Sequence, residues 1–348
     1  MEIDEEKLAV YKPYPDARLN PCSDVVFKAL FTDNSDESRT ALRCFLSAVL
    51  HKQVKEVALK PNEIAAVDEH DKAVRFDVAC TFNDGESADV EMQGANDDNA
   101  YGQRAEYLCA RLLNSSFQRG KKWNQMKRVY QISVLNFVFD RESKAAVRHF
   151  HMKDDEAGHF LSNGIQTVIF LELPKIARLG DVAPGQLNSE EKWCKFLLDA
   201  DNPEKKTYVA QLAADEGGIM EAQKTLDKIS EDWLLWKREL DRDVLESDRA
   251  TAIDCATKRG KALGIARGME EGIKQGMEEG IKQGMEEGIK QGIEKGIKQG
   301  IEKGMEKGVQ EGMKAGKREA AQKFKKLGVA TEIISQATGL TAEEIASL

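Results

Sequence analysis

Residues 74–93 alternate apolar and polar side chains at the two-residue period of a β-strand. In the first half, Phe76, Val78 and Cys80 fall on one face, and Arg75, Asp77 and Ala79 on the other. In the second half, Val90 and Met92 oppose Asp89, Glu91 and Gln93. Between them Asp84-Gly85 is a hairpin dipeptide. The pattern predicts neighbouring strands with Asp77 facing Glu91 and Gln93. Carboxylates on adjacent strands make an oxygen-rich cage of the kind Mg²⁺ prefers. A solvated hairpin with its polar face outward gives the same alternation.

The remaining pattern alternates helical and strand-like runs. Residues 1–20 read as a charged arm with Pro13 and Pro15. Ser23 or Asp24 caps a helix bearing Val25, Val26, Phe27, Leu30 and Phe31. After a loop at 33–38, a second helix is expected over 39–50, and a strand near 57–59. Residues 101–118 read as a helix with Tyr107, Leu108, Ala110, Arg111, Leu112 and Phe117 at helical spacing, and Gly120 as its C-cap. Residues 129–139 are apolar enough for a central strand buried on both faces. An edge strand is expected near 146–152, and another strand at 165–173, ended by Pro174. Helical patterns follow at 190–198 and 207–240, the latter with Trp233, Leu234 and Trp236 as packing anchors.

From Gly260 to Gly316 a glycine recurs every four residues, and an apolar residue follows most of them, from Ile265 to Met313. Glu270, Lys274, Glu278 and Lys282 alternate in sign at i,i+4, which favours a helix. Each glycine opposes it by about 1 kcal/mol. A period of four exceeds 3.6, so the apolar stripe drifts by about 40° per repeat around the helix. The repeat reads either as a self-association arm, coiled-coil-like in a broad sense, or as a solvated or partly disordered spacer. Beyond it two short helices are expected, separated by Gly339, with Thr341 and Glu344 forming a capping box. The expected organisation is a domain over 1–240, a helical linker and repeat arm over 241–316, and a helical hairpin over 317–348.

Composition narrows the picture. The 348 residues suffice for one core plus extra helical parts. The formal charge of -9 leaves room for a basic nucleic-acid-binding face only as a local patch. One such patch is the loop at 119–128, whose Lys121, Lys122 and Trp123 suit DNA backbone contact or base stacking, or simply a solvated turn. The six scattered cysteines point to reduced thiols in a cytoplasmic protein. No apolar h-region opens the chain and no apolar run reaches a membrane-spanning length, so neither a signal peptide nor a membrane partner is expected. His51, His70, His149, His151 and His159 show no ligand spacing and read as structural or surface residues.

Several segments in order resemble the Rpn family of recombination-promoting nucleases and putative transposases, within the PD-(D/E)XK nuclease superfamily. They are S-D-V-V-F-K-A-L-F at 23–31, R-C-F-L-S-A-V-L at 43–50, R-F-D-V, V-E-M-Q, R-A-E-Y-L-C-A-R at 104–111, V-Y-Q-I-S-V-L, I-F-L-E-L-P-K, K-W-C-K-F-L, and the glycine-repeat tail ending in A-T-G-L-T-A-E-E-I. The resemblance implies an α/β, restriction-endonuclease-like mixed sheet flanked by helices, here with a helical C-terminal extension. It also implies Mg²⁺-dependent hydrolysis of DNA phosphodiesters, linked to recombination or mobile elements. In that pattern Asp77 and Glu91 are the metal-binding acids. Asp24 matches an upstream acid, the Met92 carbonyl is a further oxygen ligand, and Arg104 reaches the phosphate. Gln103 and Tyr107 match an auxiliary Q-x-x-x-Y motif. Gln93 departs from the pattern, standing where the superfamily usually has lysine, and it cannot carry charge. That departure leaves open a noncatalytic DNA-binding or assembly protein on a nuclease-derived fold.

Overall fold

The computed structural model describes residues 4–64, 74–95, 100–117, 120–161 and 164–348. The chain divides into two compact units, Met1–Arg249 and Ala250–Leu348. Part of the anticipated N-terminal arm is a helix, α1 (Glu5–Tyr11). The Asp4 carboxylate caps it by accepting the Lys7 N–H, and Tyr11 stacks on Trp233. Helix α2 (Asp24–Thr32) follows Ser23, as its pattern predicts. Helix α3 (Asp36–Val49) starts three residues before the expected Arg39. Ser35 accepts the Ser38 N–H there, and Asp36 and Glu37 sit where the helix dipole favours negative charge.

Strands β1 (Val57–Leu59), β2 (Glu63–Ile64), β3 (Val74–Arg75), β4 (Val78–Phe82) and β5 (Glu86–Gln93) precede helix α4 (Tyr101–Ser116). Then come β6 (Val129–Leu135), β7 (Val147–His151) and β8 (Gln166–Glu172). The main sheet has the order β1-β4-β5-β6-β8-β7; β2 and β3 form a separate pair. The β5–β6 and β6–β8 neighbours are parallel and the other pairs antiparallel. Every residue of β6 is buried, as its apolar run predicts, and β7 is an edge. Beyond Leu135 the expected strand turns away, and the Phe139 N–H donates instead to the buried Glu172 carboxylate at 2.9 Å.

The first half of the opening alternation is not one strand. It breaks at Phe76 and Asp77, where the Phe76 N–H bonds to the Asn62 carbonyl at 2.7 Å. Phe76 consequently packs with Ala79, Leu108 and Leu112 under α4 rather than with Val78 and Cys80. The hairpin after β4 turns through Gly85 at φ 91°, a left-handed conformation that glycine adopts without strain.

After β8 come α5 (Leu173–Ala177), α6 (Ser189–Asp199), α7 (Lys206–Asp215), α8 (Gly217–Ile229) and α9 (Trp233–Lys326). The helical pattern at 207–240 is thus split between three helices. A β-carbon on Gly218 would lie 2.2 Å from Cys44 Cβ, so the missing side chain permits the close approach of α8 to α3. Helices α2, α3, α6, α7 and α8 cover one sheet face with the main core, and α4 covers the other. On α4 the buried stripe is Tyr101, Ala105, Leu108, Cys109 and Leu112; Tyr107 and Ala110 are exposed, against the spacing read from sequence. Trp236 anchors α9 through its indole N–H to the Ser230 carbonyl, whereas Leu234 keeps about a third of its surface exposed. All six cysteines are free thiols.

In the second unit, α9 runs through the glycine repeat, and each apolar residue from Ile265 to Met313 that follows a glycine is more than half exposed. Helices α10 (Thr331–Thr338) and α11 (Ala342–Ala346) close a small core of Ala321, Ile334 and Ile345. Gly339 separates them at φ 70°, and Thr341 with Glu344 forms the expected capping box. Among the described residues, no helix is long and apolar enough to cross a membrane. Residues 96–99, His70 and the helix-to-loop boundary at Gln118 and Arg119 lie outside the described residues.

Candidate active site

The break before β4 releases Asp77 from ladder pairing at the edge of the α4-covered face. On the next strand, Asp89 and Glu91 point to the same face, two residues apart. Their register partners on β6 are Gln131 and Ser133, so four polar residues sit side by side on two parallel strands. All four are buried under α4. Tyr101, from the first turn of α4, donates its hydroxyl to Glu91 Oε2 at 3.5 Å, and the Arg104 guanidinium lies 3.7 Å from that oxygen.

Burial pushes the Asp77 carboxyl above its usual range. The Lys28 ammonium opposes this, the Asp24 charge adds to it, and the Met92 backbone N–H and Arg104 also favour the charged form. Glu91 is pushed up to about 7, chiefly by burial and then by the Asp77 charge; Arg104 and Tyr101 pull the other way. Asp89 is also raised well above its usual range, by complete burial and then by the Glu91 charge. Gln131 adjoins Asp89 and eases its charge, yet neither Asp89 oxygen meets hydrogen-bond geometry. Glu91 Oε1 is likewise buried without a partner among the described residues. The cluster is therefore rich in oxygen and short of positive charge. A hard cation fits such a donor set.

The sequence-derived candidates distribute unevenly around this cluster. Asp24, at the first turn of α2, is bound by Arg242 at 2.6 Å. It is near enough to influence Asp77. However, its oxygens, those of Asp77 and those of Glu91 do not make a group of three ligand atoms within 4.8 Å of one another. Two carboxylates with waters are a common Mg²⁺ environment. The Met92 side chain lies on the opposite face, in the main core, while its backbone borders Asp77. Gln93 donates its amide to the Ala95 carbonyl at 2.8 Å. Gln103 and Tyr107 line a separate pocket of about 580 Å³ with Phe150, His151 and Met152, between α4 and the β7–β8 edge. Lys121 and Lys122 are exposed, and Trp123 is 79% exposed while stacked on Phe117.

Four neighbours were not singled out from the sequence: Lys28, Asp89, Tyr101 and Ser133. Lys28 lies one helical turn after Asp24, and Asp89 shares the strand face of Glu91, so both spacings were legible. Ser133 carried no such clue, because only the parallel β5–β6 register brings it beside Glu91. A groove of about 940 Å³ adjoins the end of β5, lined by Gly94 and Ala95 together with Arg141, Lys144, Lys175 and Arg178. It is a local basic patch on an acidic chain.

A second group lies elsewhere. His51, His149 and Glu190 bring three ligand atoms within 4.8 Å of one another and could hold a divalent cation. The five histidines read as structural or surface residues in the sequence, but the fold draws two of them together from positions with no periodic relation.

An open mixed sheet with flanking helices, with Asp89 and Glu91 on central strand β5 and Asp77 at the break before β4, defines a nuclease-like α/β protein with a large C-terminal helical region. Residues 21–256 match the sequence profile of the PD-(D/E)XK nuclease family transposases, and the chain belongs to that family. No curated protein and no solved structure matches the chain.

Proposed function

We propose that this protein is a Mg²⁺-dependent DNA endonuclease of the recombination-promoting Rpn kind. The observation that carries the reading is Glu91, a buried carboxylate with one oxygen unpartnered and its pKa pushed to about 7 beside Asp77. Neither acid is needed to build the sheet, and their burial opposes the fold unless a cation offsets it. Asp77, Glu91 and the Met92 carbonyl would hold the ion. Bound there, Mg²⁺ would lower the pKa of a water and offset charge at the phosphorus.

The chain's own groups do the rest. Arg104, more than half exposed, orients a phosphate at the mouth of the site. Lys28 supplies the positive charge that Gln93 lacks, as its influence on Asp77 suggests. Gln93 positions a water through its carbonyl oxygen, since its amide nitrogen donates to Ala95. Arg141, Lys144 and Arg178 track the DNA backbone along the adjoining groove. The exposed repeat of α9 joins copies of the chain, because a long apolar stripe is rarely left in water. A noncatalytic DNA-binding or assembly role is the second reading, favoured by that commitment of the Gln93 amide.

The test is cleavage of supercoiled and linear duplex DNA by the purified chain with Mg²⁺. Cleavage is expected from the wild type and none from Asp77→Ala, with unchanged circular dichroism. Equal cleavage by both would remove the site assignment, and none by either would favour the noncatalytic role.

A further inference from the structure

We propose that His51, His149 and Glu190 form a second cation site, for a borderline transition-metal ion of the Zn²⁺ class. The site is independent of the acids of β5. Two imidazole nitrogens and one carboxylate are a poor set for Mg²⁺, which takes oxygen ligands. They are an ordinary set for Zn²⁺, and three protein ligands leave one position open.

The three residues come from separate parts of the fold. His51 lies in the turn after α3, at φ 51°. His149 is central in the edge strand β7, and Glu190 is in the first turn of α6. His149 pairs with Ile169 in the sheet register, so it faces the main core, on the side away from Glu91. Val147, two residues earlier, packs on the same core. The two clusters thus occupy opposite faces of one sheet.

The donor atoms are poised rather than scattered. His51 Nε2 lies 2.5 Å and His149 Nε2 3.5 Å from the same oxygen, Glu190 Oε1. The Glu190 side chain is 92% buried, being 8% exposed, and the buried His149 Nε2 has no partner in hydrogen-bond geometry among the described residues. Ligands bound to Zn²⁺ at about 2.0–2.2 Å in a tetrahedron lie about 3.4 Å apart. The His149–Glu190 separation already fits. The His51–Glu190 pair must open by about 1 Å to reach that spacing. A rotation of the largely exposed His51 ring supplies this, and that exposure also gives the ion its entry path. Without an ion, the His51–Glu190 hydrogen bond holds the carboxylate in place. With one, the edge strand would be cross-linked to α6 and to the end of α3.

The experiment titrates the untagged, full-length chain with Co²⁺ as a spectroscopic probe, then displaces it with Zn²⁺. One visible d–d band per chain is expected, together with a rise in thermal midpoint. Both should persist in the Asp77→Ala/Glu91→Ala double variant and vanish in His51→Ala and His149→Ala. His51 is exposed, so its variant reports on ligation even if His149→Ala fails to fold. Absence of the band, its survival in His51→Ala, or its loss in the double variant would overturn the proposal. So would a thiolate charge-transfer band, which would place the ion on cysteine. A loss of stability in His51→Ala with no Co²⁺ bound by the wild type would reduce the cluster to an ion pair and also overturn it.

Discussion

The Arg242 guanidinium donates to Asp24 Oδ1 at 2.6 Å and to Ser23 Oγ at 2.5 Å, fastening the start of α9 to the first turn of α2 beside Asp77. Asp24 therefore arrives at the candidate site already neutralised by a partner, whereas Glu91 keeps a bare oxygen. Its contribution to cation binding should be the smaller one. Asp24→Asn is expected to shift the Mg²⁺ concentration for half-maximal cleavage modestly, while Asp77→Ala abolishes cleavage. A Mg²⁺ titration of plasmid nicking distinguishes them, and equal losses would place Asp24 among the direct ligands.

Lys28 carries the second prediction. Its charge, one turn beyond Asp24 on α2, is the largest influence opposing the rise of the Asp77 pKa. If it takes over the part usually played by lysine at position 93, Lys28→Ala should slow cleavage by about 100-fold or more, the order seen when one stabilising donor is removed. Gln93→Lys should then recover part of the rate in that background. Single-turnover cleavage measures both. Unchanged rates in Lys28→Ala would confine the lysine to the surface.

Glu239, on α9, gives a pH prediction away from the site. Its carboxyl is pushed up to about 7, first by burial, with Asp243 and Asp201 adding to the rise and Arg242 and the Asn20 backbone opposing it. Its Oε2 is buried without a hydrogen-bond partner among the described residues. The folded state thus binds the proton more tightly than the unfolded chain, where the group titrates near 4.5. Its favourable contribution is full below about 4.5 and is lost as pH rises through about 7. Glu239→Gln should gain thermal stability over the wild type at pH 8 and little or none at pH 5. A constant difference across that range would show that this carboxyl does not titrate in the folded state.

Gly218→Ala tests the packing of α8 on α3. Alanine favours the helix by about 1 kcal/mol over glycine, but the new β-carbon would meet Cys44 Cβ at 2.2 Å. Overpacking of this kind costs about 1–3 kcal/mol, so a net destabilisation is expected in urea unfolding. Cys44→Gly in the same chain should relieve part of it.

The repeat gives the last prediction. A chain truncated after Arg259 lacks the apolar stripe of Ile265 to Met313. Sedimentation should give a smaller number of copies per assembly than for the full-length chain. An unchanged number would remove the stripe from self-association.

Much of this architecture was legible because local patterns dictate it. The uniform apolarity of β6 required burial on both faces, and Thr341 with Glu344 fixed the start of α11. The alternation in β5 placed Asp89, Glu91 and Gln93 on one face before any contact was known. In each case the physical cause lies within a few residues of chain.

Other features depended on contacts between distant segments. Phe76 left its expected face because Asn62 captured its backbone, and the helical run at 207–240 broke so that Gly218 could meet Cys44. The pairing of β5 with β6 set Ser133 beside Glu91, and burial under α4 turned ordinary acids into groups with raised pKa values. His51, His149 and Glu190 are far apart along the chain and share no period, so only the packing of α3, β7 and α6 could join them. Sequence by itself determined which side chains share a strand or helix face, since that follows from backbone geometry. Tertiary structure alone decided which faces meet and how dry they are, because proximity and desolvation belong to the folded whole.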